Sequence, residues 1–252
     1  MTKNPSRPTA INTENKMRII VLTITQYKEK DGIIDAVSEE GKITFLAKGI
    51  FDPKNKNASI NNILSVADIE LNEGNYKYPV LKSASIISNP MKVNSDFYYL
   101  SSLMLIAEAT KNMLQDEEKE RIFNSLLSAT EALKKAKQPW EILLVYFAEL
   151  IKVSGYEFEV NHCVFCGSKQ DIVTFSFADG GFVCRNCMQE DTETDLSVPQ
   201  MFLLRNAFNT RDIGNITFIC EKDDAIKVLG KFVEFISDSI GVTLKSFSLI
   251  NK

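Results

Sequence analysis

Residues 163–187 read CVFCGSKQDIVTFSFADGGFVCRNC and contain four of the chain's five cysteines. Cys163 and Cys166 form one Cys-x-x-Cys pair, and 17 residues separate it from the second pair, Cys184 and Cys187. This spacing is typical of a four-cysteine zinc site, in which each short turn directs two thiolates at one ion. The residues between the pairs predict a hairpin that turns at Gly180-Gly181. The stretch therefore predicts a zinc-ribbon-like module at about residues 160–190.

The predicted metal is structural, because four thiolates fill the tetrahedral shell of zinc and leave no position for water or substrate. We expect one Zn²⁺ per chain. Two alternatives remain open: the thiols are buried without a metal, or they bind an iron–sulfur cluster. His162 is the only histidine and adjoins Cys163, but a complete four-cysteine shell does not need it as a ligand.

The part of the chain before this module predicts β-structure. Residues 17–90 are rich in Ile, Val and Thr, and turn-forming pairs such as Glu40-Gly41 and Asp52-Pro53 divide them into about five short strands. Strands of this number and spacing predict a small closed β-barrel of the OB-fold type. Residues 1–16 are polar and predict a flexible extension.

Residues 91–252 predict an all-α domain that carries the cysteine module as an insertion. Apolar residues recur at helical spacing from Phe97 onward, and Pro139 and Gly155 suit the first turn and the C-terminal cap of one helix. The predicted fold class is thus multidomain α+β, with a barrel followed by helices.

The composition predicts a globular protein of the cytoplasm. Of the 252 residues, 44% are hydrophobic and 25% are charged, and no apolar run approaches the roughly 20 residues that span a bilayer. The polar N-terminus does not resemble a secretory signal. The net charge is −4, but residues 1–90 carry 12 Lys/Arg against 10 Asp/Glu, so the excess of acid lies in the remainder.

The sequence argues against an enzyme. A single histidine beside a metal turn leaves no Ser-His-Asp or Cys-His arrangement, and neither GxxxxGK[ST] nor a GxGxxG after a strand is present. A zinc-dependent hydrolase would need an open coordination position, which a four-cysteine shell does not offer.

Several motifs, in their order, resemble one bacterial family. They are ITQYKEKD at residues 24–31, GK and AKG within residues 41–49, a helix end from Glu149 to Tyr156, the CVFCG run, and FS followed by GGFVC at residues 175–184. Together they resemble the RecO family of DNA repair and recombination mediators, over about residues 17–240.

The resemblance implies an N-terminal OB-fold, a helical domain and a zinc module. It also implies binding to single- and double-stranded DNA, annealing of complementary strands, and assistance, with RecR, in loading RecA onto DNA coated by the single-strand-binding protein (SSB). The expected place of action is the cytoplasm, at the nucleoid during repair of DNA damage.

The barrel offers candidate DNA contacts, because OB-folds track the phosphate backbone with cations and stack bases on aromatic rings. The candidates are Lys28, Lys30, Lys42, Lys48, Lys54 and Lys56. Tyr27, Phe45 and Phe51 are interspersed among them, although each lysine could simply be solvated and Phe45 could belong to the core. An alternative function is a protein-interaction adaptor with little affinity for DNA.

Overall fold

The computed structural model describes residues 16–72, 77–92, 96–190 and 196–251. Apart from Lys16, the predicted extension of residues 1–16 lies outside the described residues. Within the described ranges, no helix is long and apolar enough to cross a membrane.

Five strands form a closed barrel, as the sequence predicted, and their order is β1-β2-β3-β5-β4. The pairs β1–β2, β2–β3, β4–β5 and β1–β4 are antiparallel. A short parallel contact between Leu46 and Val80 joins β3 to β5 and closes the barrel. The strands are β1 (Met17–Tyr27), β2 (Asp31–Ser38), β3 (Gly41–Ala47), β4 (Val66–Asn72) and β5 (Val80–Ser88).

The barrel is covered on the outside as well as filled on the inside. Ile19 and Val21 belong to the barrel interior, whereas Ile20 and Leu22, which alternate with them, pack with residues of the helical domain. All four side chains are therefore buried, and the uninterrupted apolar run IIVL reflects two buried faces rather than one.

The helical domain follows from Phe97. Its helices are α1 (Phe97–Met113), α2 (Lys119–Lys135), α3 (Trp140–Val153), α4 (Val198–Asn209), α5 (Lys222–Phe235) and α6 (Phe247–Ile250). Pro139, predicted for the first turn of α3, is its N-cap, and Gly155, predicted for its C-terminal cap, directly follows the C-cap residue Ser154 with φ 91°. A π-helical turn, Ile236–Ile240, extends α5 and ends at Gly241, which has φ 77°.

The cysteine segment forms a three-stranded sheet rather than a hairpin alone. The predicted hairpin is β7 (Ile172–Ser176) and β8 (Gly181–Cys184), and β6 (Glu159–Cys163) lies parallel to β8 on its other side. A Cβ at Gly181 would lie 2.8 Å from the carbonyl oxygen of Glu159, so only glycine permits this approach of the two strands.

A cluster of phenylalanine rings fixes this sheet to the helices. The ring of Phe158 lies 5.3 Å from Phe175 in β7, 5.2 Å from Phe208 in α4 and 4.9 Å from Phe235 in α5, measured between centroids. Edge-to-face and tilted contacts of this kind stabilise packing beyond the area they bury. The sheet is thus continuous with the core of the helical domain.

Candidate metal centre and nucleic-acid interface

The four cysteines converge because β6 and β8 are parallel neighbours that end side by side. Cys163 ends β6 and Cys184 ends β8, and each strand runs into the turn that carries its second cysteine. The Sγ atoms of Cys163, Cys166, Cys184 and Cys187 all lie within 4.8 Å of one another. Two Cys-x-x-Cys turns distant in sequence therefore form one cluster.

The turn that carries Cys163 and Cys166 ends at a position that favours glycine. The amide of Gly167 donates to the carbonyl oxygen of Cys163 at 2.8 Å. The amide of Cys163 donates to the carbonyl oxygen of Ser168 at 2.7 Å. Gly167 has φ 73°, a left-handed conformation that glycine adopts without steric cost. The tight turn brings the Cys166 thiol back towards Cys163.

The geometry of the cluster fits a tetrahedral ion. The Sγ atoms of Cys166 and Cys184 lie 3.7 Å apart. A zinc ion bound to four sulfurs at about 2.3 Å would separate them by about 3.8 Å, the edge of the tetrahedron. These residues can therefore hold a metal without rearrangement of that pair.

The pKa values of the Cys163 and Cys187 thiols are shifted in opposite directions. Burial of the Cys163 thiol opposes ionisation, but backbone hydrogen bonds from Cys184, Cys166 and Phe165 outweigh burial and lower its pKa to about 6. Hydrogen bonds with Cys166 and Cys184 raise the pKa of the Cys187 thiol to about 12. The protein itself thus supplies donors that stabilise a thiolate, which is the form that binds metals.

His162 does not join the cluster. Its Nδ1 lies 3.1 Å from Oε2 of Glu159, three residues earlier in the same strand. This contact accounts for the position of the imidazole. The sequence had likewise placed it outside the ligand set.

The second candidate site is the barrel end at which the β1–β2 turn, residues 28–30, meets the segment after β3, residues 48–57. The amide of Phe51 donates to the carbonyl oxygen of Lys30 at 3.1 Å, and Lys30 Nζ lies 3.0 Å from Oδ2 of Asp52. Asp31 accepts a hydrogen bond from the amide of Gly49. These contacts brace the two segments against each other.

Five of the six candidate lysines lie at this end, and all five are exposed: Lys28, Lys30, Lys48, Lys54 and Lys56. Lys42 is also exposed, but it pairs with Val37 near the β2–β3 turn, at the opposite end of β3. Phe45 is fully buried in the barrel core.

Sequence reasoning did not consider Lys77 and Tyr78, in the β4–β5 connection. The amide of Leu46 donates to the carbonyl oxygen of Pro79 at 2.8 Å, so this connection runs beside the end of β3. Lys77 Nζ lies 5.2 Å from the centroid of the Tyr78 ring. The signal lay in the predicted fold, because OB-folds bind oligonucleotides with the β1–β2 and β4–β5 loops together.

The charge at this barrel end is positive. Among described residues 28–31 and 48–57 there are five lysines and three acidic residues, Glu29, Asp31 and Asp52. Two of these carboxylates are engaged in the bracing contacts with Gly49 and Lys30. The lysine-rich end is thus a cationic surface on a protein whose net charge is −4.

Comparisons with known proteins match nearly the whole chain. The family described as "Recombination protein O N terminal" matches residues 13–90, and "Recombination protein O C terminal" matches residues 94–246. The chain is 23% identical to the DNA repair protein RecO of Halalkalibacterium halodurans, over 92% of each chain. It is 25% identical to that of Bacillus cytotoxicus, over 92% of this chain and 94% of the relative.

Proposed function

The chain belongs to the RecO family of DNA repair proteins, and from this membership we propose that it is a recombination mediator that binds single- and double-stranded DNA. In this proposal it anneals complementary strands and, with RecR, assists the loading of RecA onto DNA coated by SSB. It acts in the cytoplasm at the nucleoid and catalyses no covalent step. Residues 17–90 and 91–252 are its two functional units.

The observation that carries the proposal is the lysine-rich end of the barrel. Five exposed candidate lysines gather there, two of them in the β1–β2 loop, which OB-folds use for oligonucleotides, and three in the segment after β3. Lysines that neutralise phosphates release counterions, so affinity for DNA falls as salt concentration rises. The net charge of −4 does not oppose such binding, because the local balance at this end is positive.

The test is a titration of single-stranded oligo-dT against the purified protein at several salt concentrations. A mediator that contacts several phosphates should give a plot of log K against log salt with a slope of about −0.7 per contact. A protein that binds no oligonucleotide at low salt would not be a DNA mediator. Annealing is then measured with complementary oligonucleotides, with and without SSB.

We further propose that Cys163, Cys166, Cys184 and Cys187 hold one structural zinc ion. Support comes from their spacing, the 3.7 Å separation of two sulfurs and the donors around Cys163. Bound zinc would close the ends of β6 and β8 into one unit, and its binding energy would contribute to folding.

A second candidate function is an adaptor whose helical domain binds a protein partner. It is favoured by a groove of about 460 Å³ in that domain, lined by charged residues of both signs: Arg121, Lys152, Arg211, Glu149 and Asp212. An adaptor of this kind would show no salt-dependent binding to oligonucleotide, and the titration above separates the two functions.

A further inference from the structure

The segment that leads into α5, residues 216–221, is built like a β-strand but pairs with no strand of the described chain. Its sequence, ITFICE, is rich in β-branched and aromatic residues, which favour extended backbone. Ile216 has φ −71° and ψ 127°, and Glu221 has φ −78° and ψ 146°, so both ends are extended. Burial alternates from residue to residue over the whole segment, with the period of two that a strand has.

One face of this segment is anchored in the helical domain. Ile216, Phe218 and Cys220 are half-buried and pack against the core of that domain. The amide of Cys220 donates to Oε1 of Glu141 in α3 at 2.9 Å, which holds one edge of the segment against this helix. The segment is therefore ordered before any strand pairs with it, and pairing costs it little conformational entropy.

The other edge and the outer face of the segment are open. Ile219 has 88% of its surface accessible, more than any other large hydrophobic residue of the described chain. Successive backbone groups of an extended chain point to opposite edges, so those of Thr217 and Ile219 point away from Glu141. Among the described residues, none forms a hydrogen bond with the amides or the carbonyl oxygens of Thr217 and Ile219. An edge of this kind offers donors and acceptors to a further strand.

The end of the segment at Cys220 is acidic. The four residues after Cys220, EKDD, carry three carboxylates and one ammonium group, and Glu141 contacts the backbone of Cys220 from α3. Burial raises the pKa of the Cys220 thiol, and the negative charges of Glu141, Glu221 and Asp224 raise it further. The electrostatic field at this end therefore favours a cation on a neighbouring chain.

We propose that residues 216–221 form a docking edge for an extended peptide segment of a partner protein, which adds as an antiparallel strand and places a lysine or arginine beside Glu221. Backbone hydrogen bonds to Thr217 and Ile219 supply affinity, and an apolar side chain of the partner covers Ile219. The cation fixes the direction of the peptide, because only one end of the edge is acidic. This inference goes beyond the proposed function and does not depend on binding to DNA.

The length of the edge suits a peptide rather than a second copy of this chain. Six extended residues span about 20 Å. A stable protein–protein interface buries about 1,200–2,000 Å² in total, which a strand of this length does not supply alone. The charge at Glu221 likewise requires a basic residue on the partner.

The test measures binding of a fluorescent eight-residue peptide to the full-length protein, without DNA, by fluorescence anisotropy. The peptide begins with two lysines and continues with alternating valine and threonine. In an antiparallel strand its first residues lie beside Glu221. A second peptide with glutamates in place of the lysines should bind at least about threefold more weakly at low salt, and the difference should shrink at high salt.

Ile219→Pro removes one backbone donor from the open edge, and its side chain is too exposed to be part of the core. It should weaken binding of the lysine peptide about three- to tenfold, because one hydrogen bond of the ladder is lost. Ile219→Val keeps the amide and a β-branched side chain, so it is the matched control and should bind as the wild type does. The thermal stability of both variants should stay close to that of the wild type.

A second measurement uses the unaltered protein. Saturation with the lysine peptide should slow hydrogen exchange of the Thr217 and Ile219 amides at least about threefold, as followed by NMR. The Phe218 amide points towards the Glu141 edge, and its exchange should stay within about twofold of the value without peptide. Equal slowing of all three amides would contradict pairing at the open edge.

Three further results would overturn the docking edge for a partner peptide. They are equal affinities of Ile219→Pro and Ile219→Val for the lysine peptide, no binding to the wild type at up to about 1 mM peptide, and self-association of the wild type that Ile219→Pro abolishes. The last result would mean that a second copy covers the edge. The oligo-dT titration is independent of all these measurements, so failure of the proposed function and failure of the docking edge are distinguishable.

Discussion

The ammonium nitrogen of Lys111 in α1 lies 2.6 Å from Oδ2 of Asp35 in β2 and so links the helical domain to the barrel. Thr23 and Thr44 donate hydrogen bonds to the same carboxylate. Partial burial raises the pKa of Asp35, but hydrogen bonds from Lys111, Thr44 and Thr23 outweigh burial and hold it below its usual value. The junction between the domains is thus both apolar and ionic.

Lys111→Met should lower the free energy of unfolding by about 1 kcal/mol, because the pair is partly exposed and solvent screens it. This corresponds to a fall in Tm of about 2–4 °C, measured by thermal denaturation at neutral pH. Lys135→Met removes an exposed lysine from the end of α2 and serves as the control. Equal effects of the two substitutions would mean that the link to Asp35 adds nothing to stability.

The contribution of Asp35 should depend on pH in one direction. Because its folded pKa is lowered, its stabilisation is fully present above the unfolded value of about 3.9 and is lost as pH falls through the folded value. The difference in unfolding free energy between wild type and Asp35→Asn, from urea denaturation, should therefore shrink below about pH 4. A difference that stays constant from neutral pH down to about pH 3 would contradict this interpretation.

The protein should be purified with about one zinc ion per chain, and Cys163→Ser should lower both zinc content and stability. Loss of the metal should reduce Tm by on the order of 10 °C, since zinc binding contributes to folding. Cys220→Ser is the matched control, because Cys220 lies outside the cluster. If metal analysis by mass spectrometry finds no zinc in protein prepared without chelator, the proposed zinc site is contradicted.

Charge reversal at the lysine-rich end should weaken DNA binding. Lys54→Glu with Lys56→Glu should reduce affinity for single-stranded DNA and make the salt slope less steep by up to about 1.4 units, about 0.7 for each lost phosphate contact. The same reversal at Lys134 and Lys135 in α2 is the control and should matter much less. Similar losses in both double variants would indicate that DNA crosses the helical domain as well.

The parts of the fold that depend on local pattern could be predicted from the sequence. The alternating segments and turn pairs of residues 17–90 predicted five strands, and Pro139 and Gly155 indicated the limits of α3. The Cys-x-x-Cys spacing predicted a cluster that the structure brings within 4.8 Å. The turn pairs and helix ends are local signals, and the cysteine spacing matches a known pattern of metal sites.

The parts that depend on pairing between distant segments could not be predicted in this way. Strand β6, EVNHC, is polar, and its position is set by parallel pairing with β8 across the close approach at Gly181. The register of β3 separates Lys42 from the other candidate lysines, and the hydrogen bond between Leu46 and Pro79 places the β4–β5 connection beside β3. Neither placement follows from composition or periodicity.

The apolar layer between the barrel and the helices limits the use of the barrel in fusions with other proteins. Ile20, Leu22, Val37, Leu64 and Val66 of the barrel are buried in one cluster with residues of the helical domain such as Leu103 and Ile106 in α1. A barrel excised at residue 90 and fused to a foreign protein would present these side chains to water. The barrel is therefore not expected to fold well when it is transferred alone, and a fusion protein should include α1, which covers these strands.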